Sequence, residues 1–275
     1  MALRSAVRRC CRFAILIVVT VTGLAILAIS QGGLAVVGDA PTAATDFGRS
    51  VVMILGSSGT ACTATAIGRD LLLTAAHCVQ PGSDYKLVGS EPGQPPILKA
   101  VARIERHPQF DMQRLLGHLA TADVALIKLT EPLLAQIPLA RIGGETETIK
   151  VGDTLVVAGY GVTVRGDGRT GGTVRAASLI VTGQPGSLQI RLFDPVSKGL
   201  TAGLGACAGD SGAPAFAGSS FAGSSKDLRI IGVVSWSTGP NLTAGCGGLT
   251  GITPLVRYRG WIVDTARKLG TPLAP

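Results

Sequence analysis

The chain has 275 residues, of which 15% are charged and 4% aromatic, with 38 glycines and a formal net charge of +8. Such a composition suits a loop-rich β protein rather than a helical one. Few aromatics and the absence of a basic run in the body of the chain argue against nucleic acid as a partner.

Residues 1–35 differ in kind from the rest of the chain. Arg4, Arg8, Arg9 and Arg12 form a basic head, Phe13 to Ile29 is almost wholly apolar, and Gly33 and Ala35 supply small residues after it. The pattern predicts a secretory signal peptide cut after Ala35, and so a protein placed outside the cell. The alternative is a retained membrane anchor in the cell envelope, for which the apolar run is slightly short. Cys10 and Cys11 fall in the basic head and take no part in the predicted fold. Without the four leader arginines, residues 36–275 carry a surplus of about four positive charges. Their length fits one all-β domain or two packed barrels.

Short aliphatic runs from Ser50 to Leu55 and from Ala64 to Thr74, punctuated by Gly, Ser and Asp, predict strands joined by turns. The second run ends in Leu73-Thr74-Ala75-Ala76-His77-Cys78. A neutral imidazole there is the kind of group that activates a hydroxyl nucleophile. Pro81 to Pro96, rich in Gly, Pro and Ser, predicts a loop. It offers little acidic content beyond Asp84 and Glu91, so no calcium site and no other metal is expected. Lys99 to Ile104 and Val124 to Leu129 read as further strands. Asp123 opens the latter, where a buried carboxylate is costly unless it accepts a hydrogen bond, for example from an imidazole; the plainer reading is a strand-edge Asp bound to its own backbone. His107 before Pro108 reads as a solvated turn residue, and His118 among leucines as loop packing.

Near Lys150 the strand pattern starts again, with Thr154 to Ala158, Ala177 to Thr182, Ser187 to Leu192 and Arg229 to Trp236. Two sets of about six strands predict two barrels. Arg165-Gly166-Asp167 matches a short adhesion string, which a charged, glycine-rich hairpin tip explains equally well. Cys207-Ala208-Gly209-Asp210-Ser211-Gly212-Ala213-Pro214 is the most informative stretch. Glycines around Asp-Ser permit tight, open backbone, so the hydroxyl stands clear and nearby N–H groups can face a bound oxygen. Alone, the same string would serve as a polar turn. Asn241-Leu242-Thr243 matches a glycosylation acceptor. Tyr258, Trp261, Ile262, Thr265, Ala266 and Leu269 recur on one face of a predicted helix within Pro254 to Leu269, expected to pack on the second barrel.

Four cysteines remain after the leader: Cys62, Cys78, Cys207 and Cys246. An even count behind an export signal argues for disulfides, with three connectivities open. Metal ligation lacks the CxxC or clustered-histidine spacing it needs.

His77, Asp123 and Ser211, in that order and in these contexts, resemble the trypsin and chymotrypsin family of serine endopeptidases over essentially Val36 to Leu269. The resemblance implies an all-β fold of two packed six-stranded antiparallel β-barrels with a C-terminal helix, residues 36–149 carrying His77 and Asp123 and residues 150–275 carrying Ser211. It implies Ser211 as nucleophile, His77 as general base and Asp123 as its orienting carboxylate, with Gly209 and Ser211 N–H groups as oxyanion hole. It also pairs Cys62 with Cys78 and Cys207 with Cys246.

Ser235-Trp236-Ser237 resembles the segment that pairs with an extended substrate, and Gly205, Ala206, Ser237 and Gly248 would line the specificity pocket. Gly205 stands where trypsin-like members carry an aspartate, so an uncharged side chain is expected before the cut. Ala213 and Ser237 replace usual glycines. Val36-Val37-Gly38-Asp39 resembles the N-terminus that such enzymes acquire on activation, with Asp210 as its expected ammonium partner. The expected partners are protein or peptide substrates and protein inhibitors, and the expected state is a monomer without cofactor. A catalytically dead binding relative would be expected to lack a triad residue. A quality-control protease of related fold would be expected to carry an appended peptide-binding domain and to lack paired cysteines.

Overall fold

The structure, a computed structural model, describes residues 36–38, 40–42, 47–89, 97–185, 187–217 and 229–273. The leader, Asp39 and Glu91 lie outside the described residues.

The first six strands are β1 (Val51–Gly56), β2 (Ala61–Gly68), β3 (Leu71–Thr74), β4 (Tyr85–Gly89), β5 (Ile97–Arg106) and β6 (Ala125–Leu129). They close an antiparallel barrel in the order β1-β2-β3-β6-β5-β4. A two-residue strand, β7 (Arg141–Ile142), leads to β8 (Thr154–Gly159), β9 (Arg175–Gly183), β10 (Ile190–Phe193), β11 (Pro214–Ala217), β12 (Arg229–Ser237) and β13 (Thr250–Pro254). These run β11-β8-β9-β10-β13-β12, and pairing of β11 with β12 closes the second antiparallel barrel. β7 pairs in parallel with the start of β12, Arg141 opposite Arg229 and Ile142 opposite Ile230. The expected two six-stranded barrels with a C-terminal helix are therefore present.

Strand periodicity explains how one sequence fills three cores. Successive side chains point to opposite faces, and here both faces are buried. Leu72, Ile127 and Ala125 point into the first barrel, while their neighbours Leu71, Leu73, Val124 and Leu126 point outward into a shared seam. Leu155, Val157, Ala213 and Ala215 fill the second barrel, and Val156, Ala158 and Phe216 meet the seam from the other side. Runs buried on both faces appear in sequence as unbroken aliphatic stretches rather than alternation.

Three expectations change. Pro81 to Pro96 is not loop throughout, because Tyr85–Gly89 forms β4 and completes the first barrel. Tyr85 and Leu87 turn inward and bury 94% or more of their surface, which offsets the poor local propensity around them. The C-terminal helix α2 (Arg259–Lys268) follows a short 3-10 turn at Leu255–Arg257 and contacts β6 of the first barrel, not the second barrel alone. Its Tyr258–Ile262–Ala266 face enters the seam. Finally, His107 is no solvated turn residue. Its ring packs edge-on against Tyr258 and Trp261, both at 4.9 Å between centroids, and burial lowers its pKa.

A one-turn helix, α1 (Met112–Leu116), capped by Asp111, was not expected from the sequence and precedes His118, which adopts φ +57°. No helix among the described residues is long and apolar enough to cross a membrane.

Candidate active site

His77 sits in the 3-10 turn Ala76–Cys78 that follows β3, and Asp123 lies just before β6, the strand paired with β3. This adjacency brings the two side chains together across 46 residues of sequence: His77 Nδ1 lies 2.7 Å from Asp123 Oδ2, and the His77 backbone N–H donates to Asp123 Oδ1 at 2.9 Å. Asp123 is fully buried. A third donor, Ser235 Oγ, reaches Asp123 Oδ2 at 2.5 Å from β12 of the other barrel. Three hydrogen bonds to one carboxylate compensate its loss of water. They also leave Nδ1 as the protonated nitrogen and Nε2 as the one that can accept a proton.

Ser211 arrives from the second barrel on the segment Ala208–Gly212. Gly209 and Gly212 both have left-handed backbone, φ +95° and +79°. A Cβ at Gly212 would overlap Thr74 Oγ1 and Thr63 O, so only glycine lets this loop reach the strand end that carries His77. Thr63 serves as the strut between barrels. Its N–H donates to Ser211 O at 2.9 Å, its Oγ1 donates to Gly209 O at 2.8 Å and accepts from Tyr160 N at 3.1 Å. Among the described residues the N–H groups of Gly209 and Ser211 donate to no protein acceptor, and Ser211 Oγ has no hydrogen-bond partner. In free enzymes such hydroxyls often meet their base only once substrate is bound.

Both expected disulfides are present, Cys62–Cys78 with separation 16 and Cys207–Cys246 with separation 39. The first flanks His77, and with the ring they form the lone cluster of metal-ligating atoms among the described residues; both sulfurs are already bonded to each other. The second ties the serine segment to the loop after β12.

A cleft of about 700 Å³ opens beside Ser211, lined by Cys207, Ala208, Trp236, Ser237 and Leu249 among others. Of the expected lining residues, Trp236 and Ser237 face it, whereas Gly205, Ala206, Ser235 and Gly248 do not. Ser235 turns its hydroxyl to Asp123. Gly248 is folded against Thr238 and Gly239, where its N–H donates to Thr238 O at 2.9 Å and a Cβ would overlap Gly239 O. Besides Thr63, the sequence reading missed Thr250. It is fully buried, lies opposite Ser237 in the β12–β13 pair, and accepts the Ala206 N–H at 2.9 Å. A Cβ on Gly205 would sit 3.5 Å from the same hydroxyl.

Asp210, also fully buried, accepts from Gly161 N at 2.8 Å and Cys207 N at 2.9 Å. Burial pushes its carboxyl up to about 7, against the pull of those two N–H groups, and no cation pairs with it among the described residues. Gly159 and Gly161 press on it so closely that a Cβ at either would overlap the carboxylate. Val36 is fully buried in the second barrel's core, and Val37 N–H donates to Gly205 O at 3.1 Å. Val36 has φ +53°, a strained value for a β-branched residue.

The trypsin family model matches residues 36–262. The rat transmembrane protease serine 11G is 26% identical over 215 residues, which cover 73% of this chain and 48% of that protein. Trypsin from Simulium vittatum is 29% identical over 199 residues, 65% of this chain and 71% of the relative. Serine protease SP24D from Anopheles gambiae is 28% identical over 248 residues, 86% and 83% of the two chains. Among solved structures, human heparin binding protein superposes with a TM-score of 0.65 at 22% identity, covering 87% of this chain and all of its own, a likeness of fold. The chain belongs to the trypsin family, the trypsin-like serine proteases. Members of that class are endopeptidases, hydrolases whose substrates are peptides and proteins.

Proposed function

We propose that this protein is a secreted serine endopeptidase acting through an acyl-enzyme. Ser211 Oγ attacks the scissile carbonyl carbon, His77 Nε2 takes the hydroxyl proton and later delivers it to the leaving amine, and Asp123 holds the imidazole and stabilises its cation. The N–H groups of Gly209 and Ser211 receive the developing oxyanion, each worth about 3 kcal/mol in such sites. The observation that carries this reading is the 2.7 Å contact between His77 Nδ1 and a fully buried Asp123. Exposure to an active-site phosphonate should label the exported protein at one residue, Ser211, and abolish peptide hydrolysis. Undiminished labelling of a Ser211→Ala variant would remove the proposal.

The pocket before the cut takes an uncharged side chain in this reading. Gly205 brings no charge, and Thr250 Oγ1, held by the Ala206 N–H, stands beside it.

Export and activation form one step in the proposal. Cleavage after Ala35 gives Val36 a free ammonium close to its existing burial site, and that ammonium pairs with Asp210. A new N-terminus has no φ, so the cut also releases the strain at Val36. N-terminal sequencing of the active exported protein should return Val36. A variant made with extra residues before Val36 that cannot be removed should lose most activity, and full activity in it would overturn this step.

A further inference from the structure

We infer that the cleft contains a subsite for an acidic side chain upstream of the scissile bond, formed by Arg191 and Gln189 beyond the edge of Trp236. The inference rests on the endopeptidase reading, with substrate backbone laid along Ser235–Ser237.

Strand register places the residues. Gly251 of β13 lies opposite Trp236 of β12 on one side and opposite Arg191 of β10 on the other. Directly opposed residues project from the same sheet face, so the three form one row across adjacent strands. The middle member has no side chain, and a Cβ there would overlap the Trp236 ring. The indole is thus folded over Gly251 toward β10, and Arg191 stands next in the row, roughly 10 Å from the β12 backbone at ordinary strand spacing. Gln189, two residues before Arg191, lines the same cleft. A side chain leaving a peptide on Ser235–Ser237 would cross the indole face and meet these donors.

Charge points to the occupant. Arg191 and Arg165 both line the cleft, and no carboxylate does so among the described residues. Neither guanidinium has a hydrogen-bond or ion-pair partner among the described residues. Nearby acids are already engaged: Asp194 accepts the N–H groups of Val196 and Ser197, and Asp167 is bound by Arg169. A planar guanidinium with open donors, next to an apolar ring, suits a carboxylate carried on a peptide.

The test uses peptides identical except for glutamate, glutamine or lysine at one upstream position, scanned position by position. Binding to the Ser211→Ala protein is read from the fluorescence of its two tryptophans, Trp236 and Trp261, and hydrolysis is measured with the unaltered protein. At one position glutamate should bind about fivefold more tightly than glutamine at low salt, the span expected of a partly exposed ion pair. The gap should shrink at high ionic strength, close in Arg191→Gln, and turn toward lysine in Arg191→Glu. Equal binding of glutamate and glutamine at every position, or a glutamate preference that survives Arg191→Gln, overturns the subsite while hydrolysis leaves the endopeptidase reading standing. No binding, no hydrolysis and no phosphonate labelling overturns both.

Discussion

The buried carboxyl of Asp210 ties stability to pH. While residues precede Val36, its carboxyl titrates near 7 in the folded chain because of burial, against about 4 when unfolded. The folded state therefore keeps a proton that the unfolded chain has released, and unfolding free energy falls as pH rises from about 4 to 7. Urea midpoints across that range should decline for the uncut protein and stay level in Asp210→Asn. An equal decline in the variant would assign it to other groups. With an ammonium paired to it, as proposed, Asp210 would ionise below its ordinary value, so the decline between about pH 4 and 7 would vanish and stability would instead fall as pH drops below about 4. The Asp-Ser-Gly string was legible in sequence. Thr63 and Thr250 were not, because their roles come from register: Thr63 reaches Gly209 and Ser211 only across the barrel seam, and Thr250 is set by which residue of β13 faces Ser237.

At the scale of elements, α2 belongs energetically to the seam. Ile262 is fully buried there among residues of both barrels, so Ile262→Ala should destabilise the protein by about 2–5 kcal/mol, read from denaturant unfolding, with little change in KM for a small ester. A loss under about 1 kcal/mol would contradict this packing. The face of this helix was readable from its spacing, since 3.6-residue periodicity needs no partner to be seen. Its docking surface was not. Likewise β4 was hidden in a Gly- and Pro-rich stretch, and β11 and β13 are four- and five-residue runs containing Pro, Gly or Thr. Such strands are specified by the neighbours that bury them rather than by propensity. The long aliphatic strands, the His77 and Asp123 contexts and the cysteine pairing carried enough local or family signal to stand without a structure.

For the molecule as a whole, the site exists because two barrels share a seam, and each contributes what the other lacks: His77 and Asp123 from one, Ser211 and the Ser235 hydroxyl from the other. The route by which the seam closes bears on time. Thr271 Oγ1 donates to Asp70 Oδ1 across 201 positions and receives Lys128 Nζ across 143, while Asp70 and Lys128 also pair directly at 2.5 Å. The earliest barrel to emerge from the ribosome thus has its outer wall finished by a segment made near the end of synthesis. Contacts of such long sequence separation form late and slowly. A nascent chain would hold His77 and Asp123 under an incomplete cover until residues 254–271 arrive, so assembly of a working protease is deferred until nearly the whole polypeptide has been delivered.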